Sequence, residues 1–334
     1  MRNVVHIPES LLGVHEVLSA GLARVEACFD QQVQSEHAPV RELVSHVGRY
    51  RGKMLRPTLC LLAGLATGES LTDDHITLAA VCEMVHMATL VHDDVLDEAE
   101  VRRGGRTINS LRGNEAAVML GDYLIASAFH LCAKVQNQWY ALEVARVSMA
   151  LCSGELVQLA NRDNLELDRT TYFDILDSKT AILIGAACEL GACASGAHED
   201  QRRALRTFGR ELGIAFQIQD DLLDLLGDEH VVGKSVGRDL DLGKPTLPLI
   251  EHRDAATPEQ RAAFRRLGAA AARGEPEARA ELRACLRRGP GIDRARAEAR
   301  RRAASARLGL GVLPERPART YLEHLADAAV NRDH

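Results

Sequence analysis

The chain has 334 residues, enough for one large or two ordinary domains, and its 46% hydrophobic and 26% charged residues exclude collagen-like, disordered and small disulfide-stapled proteins. Aromatic residues make up only 4% while Ala, Leu and Arg abound, which favours helices with aliphatic contacts over a β-sandwich. The net charge of −6 gives no general basic field, so we expect no nucleic-acid partner.

Helical periodicity runs along almost the whole chain. Apolar residues recur at spacings of three and four between Leu11 and Val25, which predicts an amphipathic first helix. Further helices are predicted over 57–66, 78–97, 116–133, 141–160, 172–194 and 202–226. No convincing alternating strand is present. We therefore predict an all-α, single-domain bundle over 1–334 with about ten helices or more, including an Arg/Ala-rich helical region at 256–310 and a C-terminal helix at 318–334.

One stretch has an unusual charge. Residues 261–310 contain 14 Arg, no Lys and five acids, a local excess of nine positive charges. Ala and Arg are strong helix formers, so we interpret the stretch as solvated helix surface. A patch for a polyanion or a membrane surface is the alternative.

The eight cysteines are scattered, without a C-x-x-C pair, and most stand in apolar runs. This distribution predicts reduced core thiols without disulfides or zinc, as in a cytosolic protein. The N-terminal residues lack the continuous apolar run of a signal peptide, and no window has the roughly 18 apolar residues of a membrane span. We expect a soluble, cytoplasmic protein.

The first acidic motif is LVHDDVLDEAEVRRG at 90–104. Asp93 and Asp97 are four residues apart, so on a helix their carboxylates share one face, while Asp94 points to a neighbouring face. Like charges at this spacing repel, and their oxygens suit Mg²⁺ shared with substrate phosphates. The alternative is a solvated helix end with Arg102 and Arg103 as salt-bridge partners.

A second acidic motif, FQIQDDLLDLLGD at 216–228, repeats the arrangement with Asp220, Asp221 and Asp224. The helix that carries it is too apolar to be merely solvated, and two D-D-x-x-D motifs are far less expected by chance than one. If the two helices face each other across a cavity, they form an acidic mouth that holds several Mg²⁺ ions bridging a diphosphate.

A diphosphate site also needs cations supplied by the protein. Such residues occur in GKMLRP, VRRG, DSKTA and GKSVGRDLDLGKPTLP, namely Lys53, Arg56, Arg102, Arg103, Lys179, Lys234 and Lys244, with Thr180 beside Lys179. Lys supplies a point charge and Arg a fork for phosphate oxygens, so the mixed set fits two phosphate-bearing ligands better than one.

Together these motifs resemble the trans-prenyl diphosphate synthases of the polyprenyl synthetase family, most closely its octaprenyl and other long-chain members. The resemblance covers residues 52–250 and the ending RTYLEHLADAAVNRDH, with the motifs in the family's order. It implies an all-α, isoprenoid synthase-like fold around a deep central cavity, usually as a homodimer. The implied reaction condenses an allylic prenyl diphosphate with isopentenyl diphosphate, with Mg²⁺ as cofactor.

The resemblance also implies roles for individual residues. The catalytic set comprises Lys179 and the six aspartates. Among these, the implied Mg²⁺ ligands are Asp93, Asp97 and Asp220. The other three aspartates, Asp94, Asp221 and Asp224, support metal binding directly or through water. The allylic diphosphate is held by Arg102, Lys179, Thr180, Gln217, Lys234 and Lys244. Isopentenyl diphosphate is held by Lys53, Arg56, His86 and Arg103. One residue departs from the family pattern, because Arg51 stands where a glycine usually precedes Gly52.

The expected chemistry is ionisation of the allylic diphosphate, stabilised by Mg²⁺ and the basic residues, followed by attack of the isopentenyl alkene on the cation. Product length depends on small residues that line the cavity below the first acidic motif, namely Cys82, Val85, Ala88 and Thr89. No aromatic residue near Ala88 blocks the cavity, so we predict a medium-to-long product. A transient contact of the protein with a membrane is a further possibility when this product is released.

Rival interpretations remain open. A class I terpene cyclase shares the metal chemistry but lacks the second diphosphate substrate. A non-catalytic helical partner subunit is expected to lose aspartates from one or both motifs. Glu83 and His86 form the E-x-x-H half-site of di-iron bundles, which needs a second copy that the sequence lacks. His86 is also open to a purely structural role in the core.

Overall fold

The computed structural model describes residues 11–48, 51–227 and 237–331. These residues are helical almost throughout. The α-helices are α1 (Leu12–Gln32), α2 (Ala38–Gly48), α3 (Leu55–Thr67), α4 (Asp73–Leu96), α5 (Ile108–Arg112), α6 (Asn114–Cys132), α7 (Gln138–Ala160), α8 (Arg169–Leu176), α9 (Ile182–Ala194), α10 (Glu199–Leu226), α11 (Arg238–Asp241), α12 (Leu247–Ala255), α13 (Pro258–Ala272), α14 (Pro276–Arg288), α15 (Gly291–Gly309) and α16 (Pro317–Val330). The all-α prediction is confirmed.

Two local features differ from the expectation. The predicted helix over 172–194 is interrupted by a π-helical turn, Asp177–Ala181, between α8 and α9. A small antiparallel hairpin joins β1 (Val101–Arg102) to β2 (Gly105–Arg106), with Val101 opposite Arg106. Strands of two residues are too short to produce an alternating pattern, so they could not be predicted from hydrophobic periodicity.

The chain divides into two compact units, each discontinuous in sequence. The first comprises residues 1–148, 183–209 and 309–324, and the second comprises residues 149–182, 210–308 and 325–334. The single domain over 1–334 stays a prediction. The first acidic motif belongs to the first unit and the second motif to the second unit.

The core of the first unit is built on α3 and α4, which are buried along most of their length. The apolar residues of α4 leave little of its surface to solvent, and Ala79, Ala80 and Ala88 are fully buried. Backbones approach closely at Gly191 of α9, where an added Cβ would lie 1.9 Å from the carbonyl oxygen of Cys60. This packing fixes α4, and with it the first acidic motif, as a rigid element.

The core of the second unit joins α8, the second half of α10 and α12 to α15. Its centre contains the fully or nearly fully buried Ile218, Leu222, Leu247 and Ala295. The face of α10 that carries these apolar residues packs inward. Asp220 and Asp224 of the second motif are partly exposed, whereas Asp221 is buried beside this core. One segment of α10 therefore carries both core residues and acids.

The positive charge of the Arg-rich stretch is balanced in three dimensions by acids from other parts of the second unit. Arg265 binds Glu166 through two hydrogen bonds of 2.6 and 2.9 Å. Further pairs join arginines of the stretch to acids outside it, namely Arg302–Glu211 at 2.8 Å, Arg307–Asp327 at 3.2 Å, Arg279–Asp241 at 3.6 Å and Arg294–Glu251 at 3.8 Å. Five outside acids thus pair with arginines of the stretch, against a local excess of nine positive charges, which favours the interpretation as ordinary helix surface.

Two of the described helices, Asp73–Leu96 and Asn114–Cys132, are long and apolar enough by composition to cross a membrane. The apolar window of the first is 72% buried inside the protein, as in the core helix of a soluble protein, and that of the second is 44% buried. One or two helices of this kind are weak evidence for a membrane span.

Candidate active site

The first acidic motif lies at the end of α4. Asp93 belongs to its last turn and Asp97 caps it, with the Asp97 N–H donating to the Asp93 carbonyl at 2.8 Å. Both side chains are partly exposed. Asp94 is only 1% exposed, and Arg102 Nε donates to its Oδ1 at 2.7 Å. The second aspartate of the motif is thus held by the protein, while the first and third reach the surface.

The β1–β2 hairpin directly after α4 places two arginines. Arg103 has a φ of +50° and Gly104 a φ of +77°, so the chain reverses there at a cost of about 1–2 kcal/mol for the non-glycine residue. The Arg103 guanidinium lies against Gly52, where an added Cβ would be 2.5 Å from Nη2. This contact places the exposed Lys53 loop next to the hairpin, and a larger residue at position 52 would displace the Arg103 guanidinium.

Charged side chains surround His86 of α4. Desolvation lowers the pKa of His86 well below its usual value. The positive charges of Arg56, Arg103 and Arg102 lower this pKa further. The imidazole is therefore neutral at pH 7 and forms hydrogen bonds without adding charge. Glu83 is 2% exposed, and burial raises the pKa of its carboxyl group. The positive charges of Arg56 and Arg103 act in the opposite direction and lower this pKa. The structure thus brings together three of the four residues predicted for isopentenyl diphosphate.

The four predicted chain-length residues lie on α4 before the acidic motif. Cys82 and Val85 are each 1% exposed and Ala88 is 0% exposed. Thr89 is partly buried, and its hydroxyl donates to the His86 carbonyl at 2.7 Å. Burial raises the pKa of the Cys82 thiol well above its usual value, so this side chain is a neutral, small group.

The second acidic motif lies in the last turns of α10. Asp221 is 6% exposed and accepts two hydrogen bonds, from the Tyr172 hydroxyl to Oδ2 at 2.7 Å and from Gln217 Nε2 to Oδ1 at 3.0 Å. The Thr180 hydroxyl donates to Gln217 Oε1 at 3.2 Å. Burial raises the pKa of Asp221 well above its usual value, and the charge of Asp239 raises it further. A hydrogen-bonded chain thus joins Thr180 to the second aspartate motif.

Asp224, the third aspartate, fixes the segment that follows. Its carboxylate accepts from the backbone N–H groups of Arg238 and Asp239, each at 3.1 Å, and its carbonyl accepts from the N–H of Gly237 at 2.8 Å. The Lys244 N–H in turn donates to the Asp239 carbonyl at 2.8 Å. Asp224 therefore helps to position the loop that carries Lys244.

Lys179 lies in the π-helical turn Asp177–Ala181. Its Nζ donates to Gln158 Oε1 at 2.8 Å and forms an ion pair with Glu155. The turn approaches α7 at Gly154, where an added Cβ would lie 3.0 Å from the backbone nitrogen of Lys179. Single π turns inside helices frequently occur at functional sites, because the extra residue redirects side chains. Lys179 and Thr180 are presented by such a turn.

The donor atoms of both motifs suit a hard divalent cation. Asp93, Asp97 and Asp220 offer carboxylate oxygens and are partly exposed. Within the described ranges, no group of three His, Cys, Asp or Glu side chains is arranged to hold a metal ion. Mg²⁺ usually takes one or two carboxylates together with waters and substrate phosphates. The residues therefore fit an ion that is bound jointly with a diphosphate.

Two contributors were missed by the sequence analysis. Tyr172 had no local signal, since its hydroxyl meets Asp221 across 49 residues of sequence. Glu83 entered only as half of a di-iron pattern, although an acid inside the apolar run of α4 was itself a signal. Lys234 lies outside the described residues, so the structure does not bear on it.

Comparisons with known proteins agree with the motifs. The family model described as Polyprenyl synthetase matches residues 37–287. The chain is 35% identical over 324 residues to the octaprenyl diphosphate synthase of Escherichia coli (strain K12), covering 96% of this chain and 98% of that protein. Its structure is similar to a decaprenyl diphosphate synthase from Rhodobacter capsulatus, with a TM-score of 0.88, 36% identity and coverage of 96% and 98%.

A polyprenyl synthase from Caulobacter crescentus CB15, complexed with calcium and isoprenyl diphosphate, gives a TM-score of 0.89 at 33% identity, covering 97% of this chain and 98% of that one. These similarities confirm the predicted all-helical isoprenoid synthase fold and the prediction of trans-prenyl chain elongation. The chain belongs to the polyprenyl synthetase family.

Proposed function

We propose that this protein condenses isopentenyl diphosphate with an allylic prenyl diphosphate and makes a medium-to-long-chain trans-polyprenyl diphosphate. The observation that carries the proposal is that the two D-D-x-x-D motifs, each within its own unit, share one pattern of burial. In each motif the second aspartate is buried and hydrogen-bonded by other side chains, while the first and third are partly exposed. The similarity to long-chain synthases over nearly the whole chain supports the same activity.

The allylic diphosphate is bound by the aspartates together with Mg²⁺ and by basic residues. Asp93, Asp97 and Asp220 would hold the metal, which would supply positive charge to stabilise the leaving diphosphate. Lys179 adds a positive charge from the π-helical turn. Arg102 orients Asp94 through its 2.7 Å hydrogen bond, and its terminal guanidinium nitrogens would donate to the phosphate.

Isopentenyl diphosphate is bound beside α4. Arg56 and Arg103 supply fork-shaped donors for phosphate oxygens, and Lys53 adds a point charge from the adjacent loop. His86 contributes a neutral imidazole, because the surrounding positive charges and burial keep its pKa well below the usual value. Glu83 partly compensates the guanidinium groups when the anion is absent. This arrangement holds the alkene in place for attack on the allylic cation.

Product length is set by the small side chains of α4. Cys82, Val85 and Ala88 are buried and none of them is aromatic, which leaves this helix without a bulky stop for a growing prenyl chain. Apolar surroundings also keep water from trapping the cation. The long apolar product favours a transient contact with a membrane when it is released.

Two further features belong to the proposal. The protein acts as a homodimer, supported by the apolar stripe of Leu142, Met149 and Leu156 on α7, whose members are 61%, 72% and 66% exposed at seven-residue spacing. Sedimentation of the purified protein, compared with a variant carrying Met149→Glu, tests the dimer.

The protein works in the cytoplasm. This part of the proposal is supported by its eight free cysteines, four of which are buried thiols.

The activity is tested by incubating the purified protein with Mg²⁺, isopentenyl diphosphate and allylic starters of increasing length, and then sizing the products. We expect isopentenyl diphosphate to be consumed and products of long, regularly increasing length to form. Omission of Mg²⁺ is the control and should abolish turnover. Conversion of the allylic substrate to hydrocarbon without use of isopentenyl diphosphate would instead identify a terpene cyclase, and absence of any turnover would identify a partner subunit.

A further inference from the structure

Arg51, which departs from the family pattern, makes a specific set of contacts with the end of α1. Its guanidinium carbon lies 4.5 Å from the centre of the Phe29 ring, a cation–π arrangement. Its Nη1 donates to Asp30 Oδ2 at 3.3 Å, and Nη2 forms an ion pair with the same carboxylate. The Arg51 side chain is 16% exposed and Phe29 is 2% exposed, so the stacking is shielded from solvent, while the Asp30 side chain is 62% exposed.

The contact stabilises both partners. Asp30 stands in the last turns of α1, where a negative charge is unfavourable next to the carbonyl end of a helix, and Arg51 compensates that charge. The planar guanidinium stacks on Phe29 while its donors engage Asp30, which a lysine side chain does not reproduce. Arg51 is thereby held in one orientation at the start of the loop that leads into α3.

The same loop contains the first basic motif. Gly52 follows Arg51 directly and lies against the Arg103 guanidinium, and the exposed Lys53 comes next. A displacement of Arg51 therefore moves the backbone that carries Lys53 and the surface against which Arg103 rests. The charge of Arg51 also reaches the buried carboxylate of Glu83, which connects it to the same group of side chains.

We propose that Arg51 is a positioning residue for isopentenyl diphosphate, which fastens the Gly52–Lys53 loop to the end of α1. The inference rests on the proposed function, because it assumes that Lys53 and Arg103 bind that substrate. Arg51 does not touch the reacting atoms. It reduces the freedom of a phosphate-binding loop before the substrate arrives, and so improves substrate affinity without contributing to the chemical step.

The test compares steady-state kinetics of wild type, Arg51→Ala and Arg51→Lys with each substrate varied in turn. For Arg51→Ala we expect KM for isopentenyl diphosphate to rise about tenfold, while kcat and KM for the allylic substrate change by less than about twofold. Arg51→Lys keeps the charge but loses the stacking, so its KM for isopentenyl diphosphate should lie between those of wild type and Arg51→Ala. Phe29→Leu removes the ring that stacks on Arg51, together with part of a buried side chain, and its KM should resemble that of Arg51→Lys.

Arg24→Ala is the matched control. Arg24 also lies on α1 and forms an ion pair with Asp73 at 2.5 Å, but both side chains are exposed, at 50% and 95%. We expect its kinetics to match wild type. An equal rise in both KM values, or lower thermal stability with unchanged KM, would overturn the inference while the proposed function stands. If Arg51→Ala does not fold, the Arg51→Lys and Phe29→Leu variants decide the same question. A wild-type protein that does not consume isopentenyl diphosphate overturns both proposals.

Discussion

The two acidic motifs have the same spacing, yet their buried aspartates have different partners. Asp94 in the first unit is held by the charged guanidinium of Arg102. Asp221 in the second unit is held by the neutral hydroxyl of Tyr172 and the neutral amide of Gln217. The first motif thus contains part of its own countercharge, while neutral donors leave the carboxylate of Asp221 to be balanced by a cation. Identical sequence motifs are therefore not electrostatically equivalent.

The largest expected effect tests whether both acidic motifs are needed for catalysis. Asp93→Ala and Asp220→Ala should each reduce kcat/KM by about 10²–10³-fold, because each removes a carboxylate that holds the metal on the leaving group. The measurement is turnover at saturating Mg²⁺. Glu281→Ala, at an exposed acid of the second unit outside both motifs, is the control. Near-normal turnover by either motif variant would remove that region from the active site.

A second prediction separates the regions by product length. Ala88→Phe on α4 should shorten the product while the first condensation proceeds at nearly the wild-type rate, because an aromatic ring replaces a small side chain. Product sizing by mass spectrometry is the measurement. Ala262→Phe places the same ring on an exposed position of α13 in the second unit and should leave the length unchanged. The smaller change Ala88→Leu tests the same position if the phenylalanine variant is unstable, and an unchanged product from both variants would exclude Ala88 from length control.

A third prediction concerns the neutral partners of Asp221. Tyr172→Phe removes one hydroxyl and leaves the ring, so the carboxylate loses a hydrogen bond of 2.7 Å. We expect about a tenfold lower kcat/KM, corresponding to roughly 1.4 kcal/mol, and a higher Mg²⁺ concentration for half-maximal activity. Tyr321→Phe in the first unit is the control. An unaltered Mg²⁺ requirement would show that Tyr172 serves the core alone.

Much of this geometry follows from local sequence. The four-residue spacing predicted that Asp93 and Asp97 share a face different from that of Asp94, and the burial of Asp94 agrees with it. The helical fold and the order of the motifs are likewise local properties of the chain. Such patterns suffice because helix periodicity fixes side-chain direction without reference to distant residues.

The remaining features depend on contacts between distant segments. Tyr172 and Asp221 are 49 residues apart, and Arg51 meets Asp30 across 21 residues. The π-helical turn at Asp177–Ala181 arises where α8 continues into α9, and no residue pattern marks it. Long-range partners of this kind become visible only once packing is known, since many side chains compete for each buried polar atom.

The last prediction concerns stability instead of activity, and the expected changes have opposite signs in the two regions. Burial and the charge of Asp239 raise the pKa of Asp221, so its ionised form destabilises the folded protein at neutral pH. Asp221→Asn should therefore raise the free energy of unfolding by about 1 kcal/mol at pH 7 while lowering activity. Asp94→Asn leaves Arg102 without its charged partner and should lower that free energy by about 2 kcal/mol.

The pH dependence distinguishes this explanation from a simple change in packing. For an aspartate whose folded pKa is raised, the favourable contribution is complete below the unfolded pKa and is lost as pH rises through the folded pKa. The advantage of Asp221→Asn over wild type should therefore shrink as pH falls toward about 4 and grow toward neutrality. Thermal unfolding of both variants between these limits is the measurement. A stability difference that does not vary with pH would mean that Asp221 is not under electrostatic strain, and the contrast between the two regions would reduce to packing.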